Sequence, residues 1–528
     1  FISPSIFYDI LFIMNKTLFS AASFLAGFSL MTVELTATRI LAPYVGASIY
    51  TWTSVIGMVL FGYSIGSYLG GYLIDKYRSG RLIFYFFSAA AFAVAIIPLL
   101  SFFSPFLVMA DIPLAAITVI LSAILFLAPS VCFGAIYPSL LKIYSQTKDD
   151  IGKDSGRLSA WWSVGSILGT FLTGFYFIGF IGSIATNLVI GAVLFFSGLA
   201  FYRPKIPVLF SLIFLFVILL AAIFGVKKMT QSPNVLFSRE SDYYKITVAD
   251  DRLGRFGRAA RFLFLDADLH GAESFDNRNL DIYPEIYPVF SVFKPNIEKV
   301  LAIGGGAYSI PKLIHNFYKN TDITAVEIDP AVKEAADNFF DFKSYPIKSV
   351  ISDGRVYLQR NNEKYDLVFT DAFNSFLSVP WHLTTYEFNE LVKSRLADSG
   401  VYAVNIISSF QGQNSGVFKS FYATFSKTFP NNHIFAYGSS DFTPQNIILV
   451  GVNSDVKILE ADLALKISKL KNGEFLASLL KPSQTVEQNS IILTDDFAPI
   501  ENLMRPLVNG FFKTNIVLYY SLLFENSI

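Results

Sequence analysis

Cysteine is nearly absent from this 528-residue chain. Cys132 stands alone, so an intramolecular disulfide is excluded. Histidine is scarce too. His270, His315, His382 and His433 are spread apart, and with a single cysteine they form no zinc-type ligand set. No metal centre is expected, no Ser/His/Asp triad can be argued, and the four histidines read as structural. No phosphate loop of the G-x-x-x-x-G-K type occurs. Net charge is zero, with 41 Lys+Arg against 41 Asp+Glu, so general nucleic-acid binding has no support. Internal repeats and low-complexity tracts are also missing. A collagen-like or disordered chain is therefore excluded.

What charge there is lies unevenly. Overall 53% of residues are hydrophobic and 16% charged, with a mean hydropathy of +0.48. Residues 1–226 hold 11 Lys/Arg and 7 Asp/Glu, whereas residues 227–528 hold 30 and 34. The first part is too apolar for a soluble domain, and the second has ordinary globular composition. A boundary near residue 226 follows.

A helix needs about 20 apolar residues to cross the hydrocarbon layer. Runs of that length predict a multi-pass α-helical membrane bundle of about seven spans, near 18–43, 51–74, 82–103, 112–141, 158–180, 183–202 and 206–226. Met14-Asn15-Lys16 reads as a start, with residues 1–13 an upstream extension. Lys76, Arg78 and Arg81, then Lys142, Lys148, Lys153 and Arg157, then Arg203 and Lys205 fall in alternate loops, on the face expected to be cytoplasmic. Seven spans put the second domain outside, whereas a cytosolic cofactor requires it inside. Lys227 and Lys228 favour an inside end, and the side stays open. Gly62, Gly66 and Gly70 make overlapping G-x-x-x-G pairs, a pattern for close helix packing. Glu34 and Arg39 lie in the first run and need polar partners, five residues being poor spacing for pairing with each other.

The second half opens with short strands and turns. Asp242–Val248 alternates like a strand, and Arg261–Asp266 is its expected hairpin partner. From residue 296, strands alternate with helices, which predicts a parallel sheet. Expected strands are Lys299–Ile303, Ile323–Ile328, Val350–Ser352, Leu367–Thr370, Val401–Ile407, His433–Tyr437 and Ile447–Val452, with helices at Ile310–Tyr318 and Ala331–Phe340.

Four elements fall at successive strand ends, where an open α/β sheet binds ligands. Gly304-Gly305-Gly306 lets the backbone turn and approach a ligand. Glu327-Ile328-Asp329 follows some 22 residues after Gly305, the offset of a ribose-binding acid. Glu327 is the better ribose candidate, because Asp329 before Pro330 suits a helix cap. In Ser352-Asp353-Gly354, the Asp suits either an adenine amino group or a turn. Asp371 ends the apolar run Tyr365–Thr370, positioned as a general base or a cation ligand. Together these elements indicate a nucleoside-containing cofactor.

The run from Val300 to Asn405, with LAIGGG, VEIDP, SDG, YDLVFTDAF and the HLTTYEF helix, resembles the polyamine aminopropyltransferases. The membrane half with ELTATRILAPYVG, and the tail LTDDFAPIE, resemble a membrane-fused branch of that family. The resemblance implies a Rossmann-like, S-adenosylmethionine-type methyltransferase fold over 296–528, preceded by a small β subdomain over 227–295. It implies decarboxylated S-adenosylmethionine or S-adenosylmethionine as group donor, a small amine such as putrescine as acceptor, a lipid bilayer as surroundings, and leaves homo-oligomerisation open. By resemblance Asp371 is the base. Gly304, Gly305, Gly306, Glu327, Asp329, Asp353, Gly354 and Tyr244 would hold the donor, and Tyr283, Glu285 and Asn374 the acceptor. Asp495 and Asp496 either add carboxylates to the acceptor side, if the tail folds over the mouth, or form a solvated acidic turn.

Three departures bear on the amine. Ala307, Pro284 and Asn374 stand where the family has Asp, His and Asp. Each removes a group suited to a cation. The leading expectation is a membrane-bound aminopropyltransferase. The alternatives are a methyltransferase using S-adenosylmethionine, and a polyamine or nucleoside transporter or sensor without catalysis.

Overall fold

The computed structural model describes residues 4–110, 112–145, 150–202, 213, 220, 232–252, 254, 259–275, 286–372, 379–438, 440–456, 458–484, 487 and 490–523. Two compact units emerge. One comprises Phe1–Gln231 with Glu240–Asp242, the other Ser232–Arg239 with Tyr243–Ile528.

The first unit is helical. Five helices are long and apolar enough to cross a membrane: Lys16–Val45, Ile49–Tyr77, Gly80–Ser101, Leu114–Tyr144 and Ile151–Ile181. The sixth expected span is the shorter helix Ser183–Leu199, of 17 residues. The seventh, 206–226, lies outside the described residues. Ser48 and Ser79 cap the second and third helices through their hydroxyls. Glycine spacing sets the packing. A Cβ on Gly66 would stand 1.9 Å from the Val131 carbonyl oxygen, and one on Gly70 would stand 2.5 Å from Ala135 Cα. Such contact needs bare backbone. Buried polar groups bridge helices, as in Thr36 Oγ1 to Asn187 Oδ1 at 3.0 Å. Arg39 finds its partner off the helices. Its guanidinium donates to the carbonyls of Ser241 and Asp242, in the short segment that belongs to this unit.

The second unit holds two sheets. Strands β1 (Val235–Glu240), β2 (Lys245–Asp251), β3 (Ala260–Leu265) and β4 (Asp268–Ser274) form a four-stranded sheet in sequential order. The expected hairpin is present, with Ile246 opposite Leu265. Asp266 takes a positive φ of 57° in the tight turn to β4.

The larger sheet contains β5 (Lys299–Ile303), β6 (Asp322–Glu327), β7 (Lys348–Ile351), β8 (Tyr365–Thr370), β9 (Leu396–Ser408), β10 (Asn432–Ala436), β11 (Gln445–Val452) and the two-residue β12 (Leu480–Lys481). Their order is β12-β10-β11-β9-β8-β5-β6-β7. Strands β7-β6-β5-β8-β9 run parallel, and β11 lies antiparallel to both β9 and β10. This is the parallel sheet the strand–helix alternation predicts, in the Rossmann-like arrangement the resemblance implies. Alternate residues feed opposite faces. Val300 and Ala302 enter one apolar cluster, Leu301 and Ile303 the other. A sheet buried on both sides requires apolar runs, which Val300–Ile303 in β5, Leu367–Phe369 in β8 and Val401–Val404 in β9 supply. The chain ends in a helix, Ile500–Leu523, whose Tyr519 packs on Phe264 at 5.2 Å between ring centroids.

Candidate functional site: the strand ends at the sheet reversal

Chain order reverses between β5 and β8, since β6 and β7 are added on one side and β9 on the other. Open α/β sheets bind ligands outside the carboxyl ends at this point. Register brings the candidates level. Ile303 pairs with Val326 and with Thr370, so Gly304, Glu327 and Asp371 follow at one height. Thr370 in turn pairs with Val404, which sets Asn405 beside Asp371.

The glycines are needed for two distinct reasons. Gly304 has φ +98°, and a Cβ there would lie 2.1 Å from the Asp371 carbonyl oxygen. Gly306 has φ +51° and passes the His270 carbonyl. Gly305 instead leaves room, since a Cβ would meet Tyr308 Cε2 at 2.8 Å and Glu327 Oε2 at 2.9 Å, and its N–H donates to Glu327 Oε2 at 2.8 Å. Glu327 Oε1 accepts the Asp329 N–H at 2.9 Å. Glu327 is therefore buried and fixed at the end of β6. Burial pushes its carboxyl above the usual range, against the pull of the surrounding backbone N–H groups. Asp329 caps the helix Pro330–Phe339, accepting the Ala331 N–H at 2.9 Å.

Asp371 Oδ1 accepts from Asn405 Nδ2 at 3.0 Å, and Asn405 also donates to Asn446 Oδ1 at 3.2 Å. Asn405 is 2% exposed, and its Oδ1 has no hydrogen-bond partner among the described residues. Asn405 is a polar residue within the apolar run Val401–Ile407, the one mark it carries in the sequence.

Asp353 begins the helix Gly354–Arg360, its Oδ1 accepting the Val356 N–H at 2.9 Å. Gly354 is required by packing, because a Cβ would meet Ile303 Cγ2 at 2.4 Å. Asp353 Oδ2 lies 2.8 Å from His382 Nε2. That hydrogen bond, with the Val356 N–H, holds the Asp353 carboxyl below its usual range despite partial burial. His382, read as structural from sequence, thus stands against an expected site acid.

The acidic tail is anchored here as well. Arg355 forks onto Asp495 at 2.7 and 2.5 Å, and Thr385 Oγ1 donates to Asp495 Oδ1 at 2.8 Å. Asp495 is thus engaged with protein donors. Asp496, next to it, is exposed. Tyr244 and Ala307 are buried together in the core under the small sheet. Ala307 is 1% exposed and packs on Gly271, where a Cβ would stand 2.4 Å from its own. Tyr283, Pro284, Glu285 and Asn374 lie outside the described residues. Among the described residues, no cluster of three or more His, Cys, Asp or Glu is placed to hold a metal.

Residues 284–437 match the spermine/spermidine synthase domain family. The second unit carries a spermine/spermidine synthase domain. Over 140 residues the chain is 34% identical to a polyamine aminopropyltransferase of Vibrio vulnificus, covering 25% of this chain and 46% of that protein. It is 25% identical over 222 residues to a probable polyamine aminopropyl transferase of Bifidobacterium longum, covering 39% and 49%. The chain thus spans about half the length of these two relatives. Among solved structures, spermidine synthase from Thermotoga maritima aligns with 54% of this chain and 89% of its own, at 19% identity and a TM-score of 0.36. The synthase domain includes Gly304–Gly306, Glu327, Asp353 and Asp371, whereas Asp495 lies beyond the matched residues.

Proposed function

We propose that this protein is a membrane-bound aminopropyltransferase that uses decarboxylated S-adenosylmethionine and a small amine. The observation that carries the reading is Asp371 at the sheet reversal, level with Glu327 and held by Asn405. The amine attacks the carbon next to the sulfonium. The new N–C bond forms as the C–S bond breaks, methylthioadenosine leaves, and Asp371 takes the proton the amine must lose. Glu327 accepts the ribose hydroxyls, its oxygens having lone pairs beyond those used by Gly305 and Asp329. Asp353 and Gly354 face the adenine. Asp329 supports this site as a helix cap, and Tyr244 as part of the wall beneath Ala307. Tyr283, Glu285, Asn374 and Asp496 are assigned to the amine side by resemblance. Five long apolar helices support placement in a membrane, with the synthase domain attached to it.

A second reading is methyl transfer from S-adenosylmethionine. It is favoured by Ala307, which is buried and offers no carboxylate to an amine or against a donor carboxylate. Incubation of the purified protein with each donor separates the two. Release of methylthioadenosine supports aminopropyl transfer, and adenosylhomocysteine supports methyl transfer. Neither product would leave a binding protein without catalysis.

A further inference from the structure

Asp353 is constrained twice. One oxygen takes the Val356 N–H at 2.9 Å, and the other faces His382 Nε2 at 2.8 Å. Because the carboxylate can only accept, Nε2 carries the hydrogen. His382 is in turn fixed from two sides. Its carbonyl accepts Arg355 Nη1 at 3.1 Å, and its ring meets Trp381 edge-on at 5.9 Å between centroids. The same Nη1 binds Asp495 Oδ1 at 2.7 Å, while Nη2 binds Asp495 Oδ2 at 2.5 Å. Asp495 is held by Thr385 Oγ1, and its N–H donates to Glu387 Oε2 at 3.0 Å. A chain of bonds therefore runs from the tail through Arg355 and the His382 turn to Asp353.

We propose that His382 is a specificity-determining positioning residue for the nucleoside base, kept in place by the Arg355–Asp495 clamp from the tail. A carboxylate offers about four lone-pair sites, so Asp353 retains acceptor capacity for a further N–H. An exocyclic amino group fits it, whereas a keto oxygen at the same place sets two acceptors against each other. Discrimination of this kind is large because a mismatched polar pair is left unsatisfied. Asp495 lies outside the synthase-domain match, so base selection depends on a segment that the match does not include. The inference rests on the nucleoside reading above and adds His382, Arg355 and Asp495, which that reading does not use.

The test is calorimetry of the detergent-solubilised full chain with methylthioadenosine and with methylthioinosine, which carries oxygen in place of the amino group. The wild type should prefer the amino compound by about tenfold or more. His382→Ala should bring the ratio of the two Kd values close to one. His382→Gln, which restores a side-chain N–H donor, should recover most of it, and Asp495→Asn should lie between. A wild-type ratio in His382→Ala overturns the proposal while leaving the nucleoside reading intact. If His382→Ala does not fold, an unchanged ratio in Asp495→Asn overturns it instead. Failure of the wild type to bind either compound overturns the nucleoside reading itself, and this assignment with it.

Discussion

Asn405 Nδ2, inside β9, lies 3.0 Å from the Oδ1 of Asp371, the residue just past the carboxyl end of the adjacent parallel strand β8. The register that pairs Thr370 with Val404 sets the two residues side by side. It fixes the carboxylate proposed to accept a proton. Asp371→Asn keeps the shape and removes the base. Transfer should fall by about two to four orders of magnitude, with methylthioadenosine affinity nearly unchanged. Single-turnover product formation and calorimetry check the two halves; retained turnover would remove Asp371 as the base.

Asn405→Ala should act on Asp371 without touching the donor. A lost hydrogen bond to a charged group costs about 1.5–3 kcal/mol. The expected result is a fall in kcat of about tenfold or more with the donor Kd unchanged. An equal loss in donor affinity would show that Asn405 belongs to the donor site.

Glu327→Ala strips the acceptor from the N–H groups of Gly305 and Asp329 as well as from the ribose. Donor affinity should drop by about tenfold or more. Glu327→Gln retains one acceptor oxygen and should lose less. An unchanged Kd in Glu327→Ala would refute the ribose role.

Acid should loosen the tail before the core. The Arg355 fork holds the Asp495 carboxyl below its usual range, and the His382 contact does the same for Asp353. A depressed folded-state pKa contributes stability that is present above the ordinary aspartate value, about 4. It is lost as pH falls through the lower folded value. Denaturant midpoints of the synthase-domain transition, followed from pH 7 downward, should decline more steeply in wild type than in Asp495→Asn. Identical acid limbs would contradict the assignment.

Glycines in the bundle should not be equivalent. Gly66→Ala drives a methyl into the Val131 carbonyl, whereas a Cβ on Gly57 meets nothing within 4 Å. Overpacking costs about 1–3 kcal/mol or more. Thermal aggregation in detergent should begin earlier for Gly66→Ala, while Gly57→Ala behaves as wild type. Equal onset for the two would mean that this contact does not hold the helices together.

Much of the site was legible because parallel-strand chemistry is local. An apolar run followed by glycines or an acid marks a strand end, and β5, β6 and β8 each read that way. Glu327 and Asp371 stand out on that basis, and Asp329 before Pro330 marks the cap it forms. The helical bundle was legible from hydrophobic length, though length alone gave seven spans where the described residues show five long helices and one shorter. Asn405 carried a faint signal, a polar residue in an apolar strand. His382 and Arg355 carried none, since their partners lie 29 and 140 residues away in sequence. The tail acids were legible as a pair, but not which of them the protein itself engages. Asp496 is exposed, and Asp495 is clamped.

Sequence alone determined the two-part division, the parallel sheet and the acids at its strand ends. Each of these follows from periodicity, composition or spacing within one stretch of chain. The tertiary structure decided which groups meet across elements: Asn405 with Asp371, His382 with Asp353, and Arg355 with Asp495. Those meetings depend on strand register and helix placement, which are set by packing of the whole domain rather than by any local run of residues. The single-cysteine, histidine-poor composition excluded metal-cluster and disulfide chemistry at the outset. It could not indicate that one of four histidines would be held against a site carboxylate, because that contact exists only once the sheet is assembled.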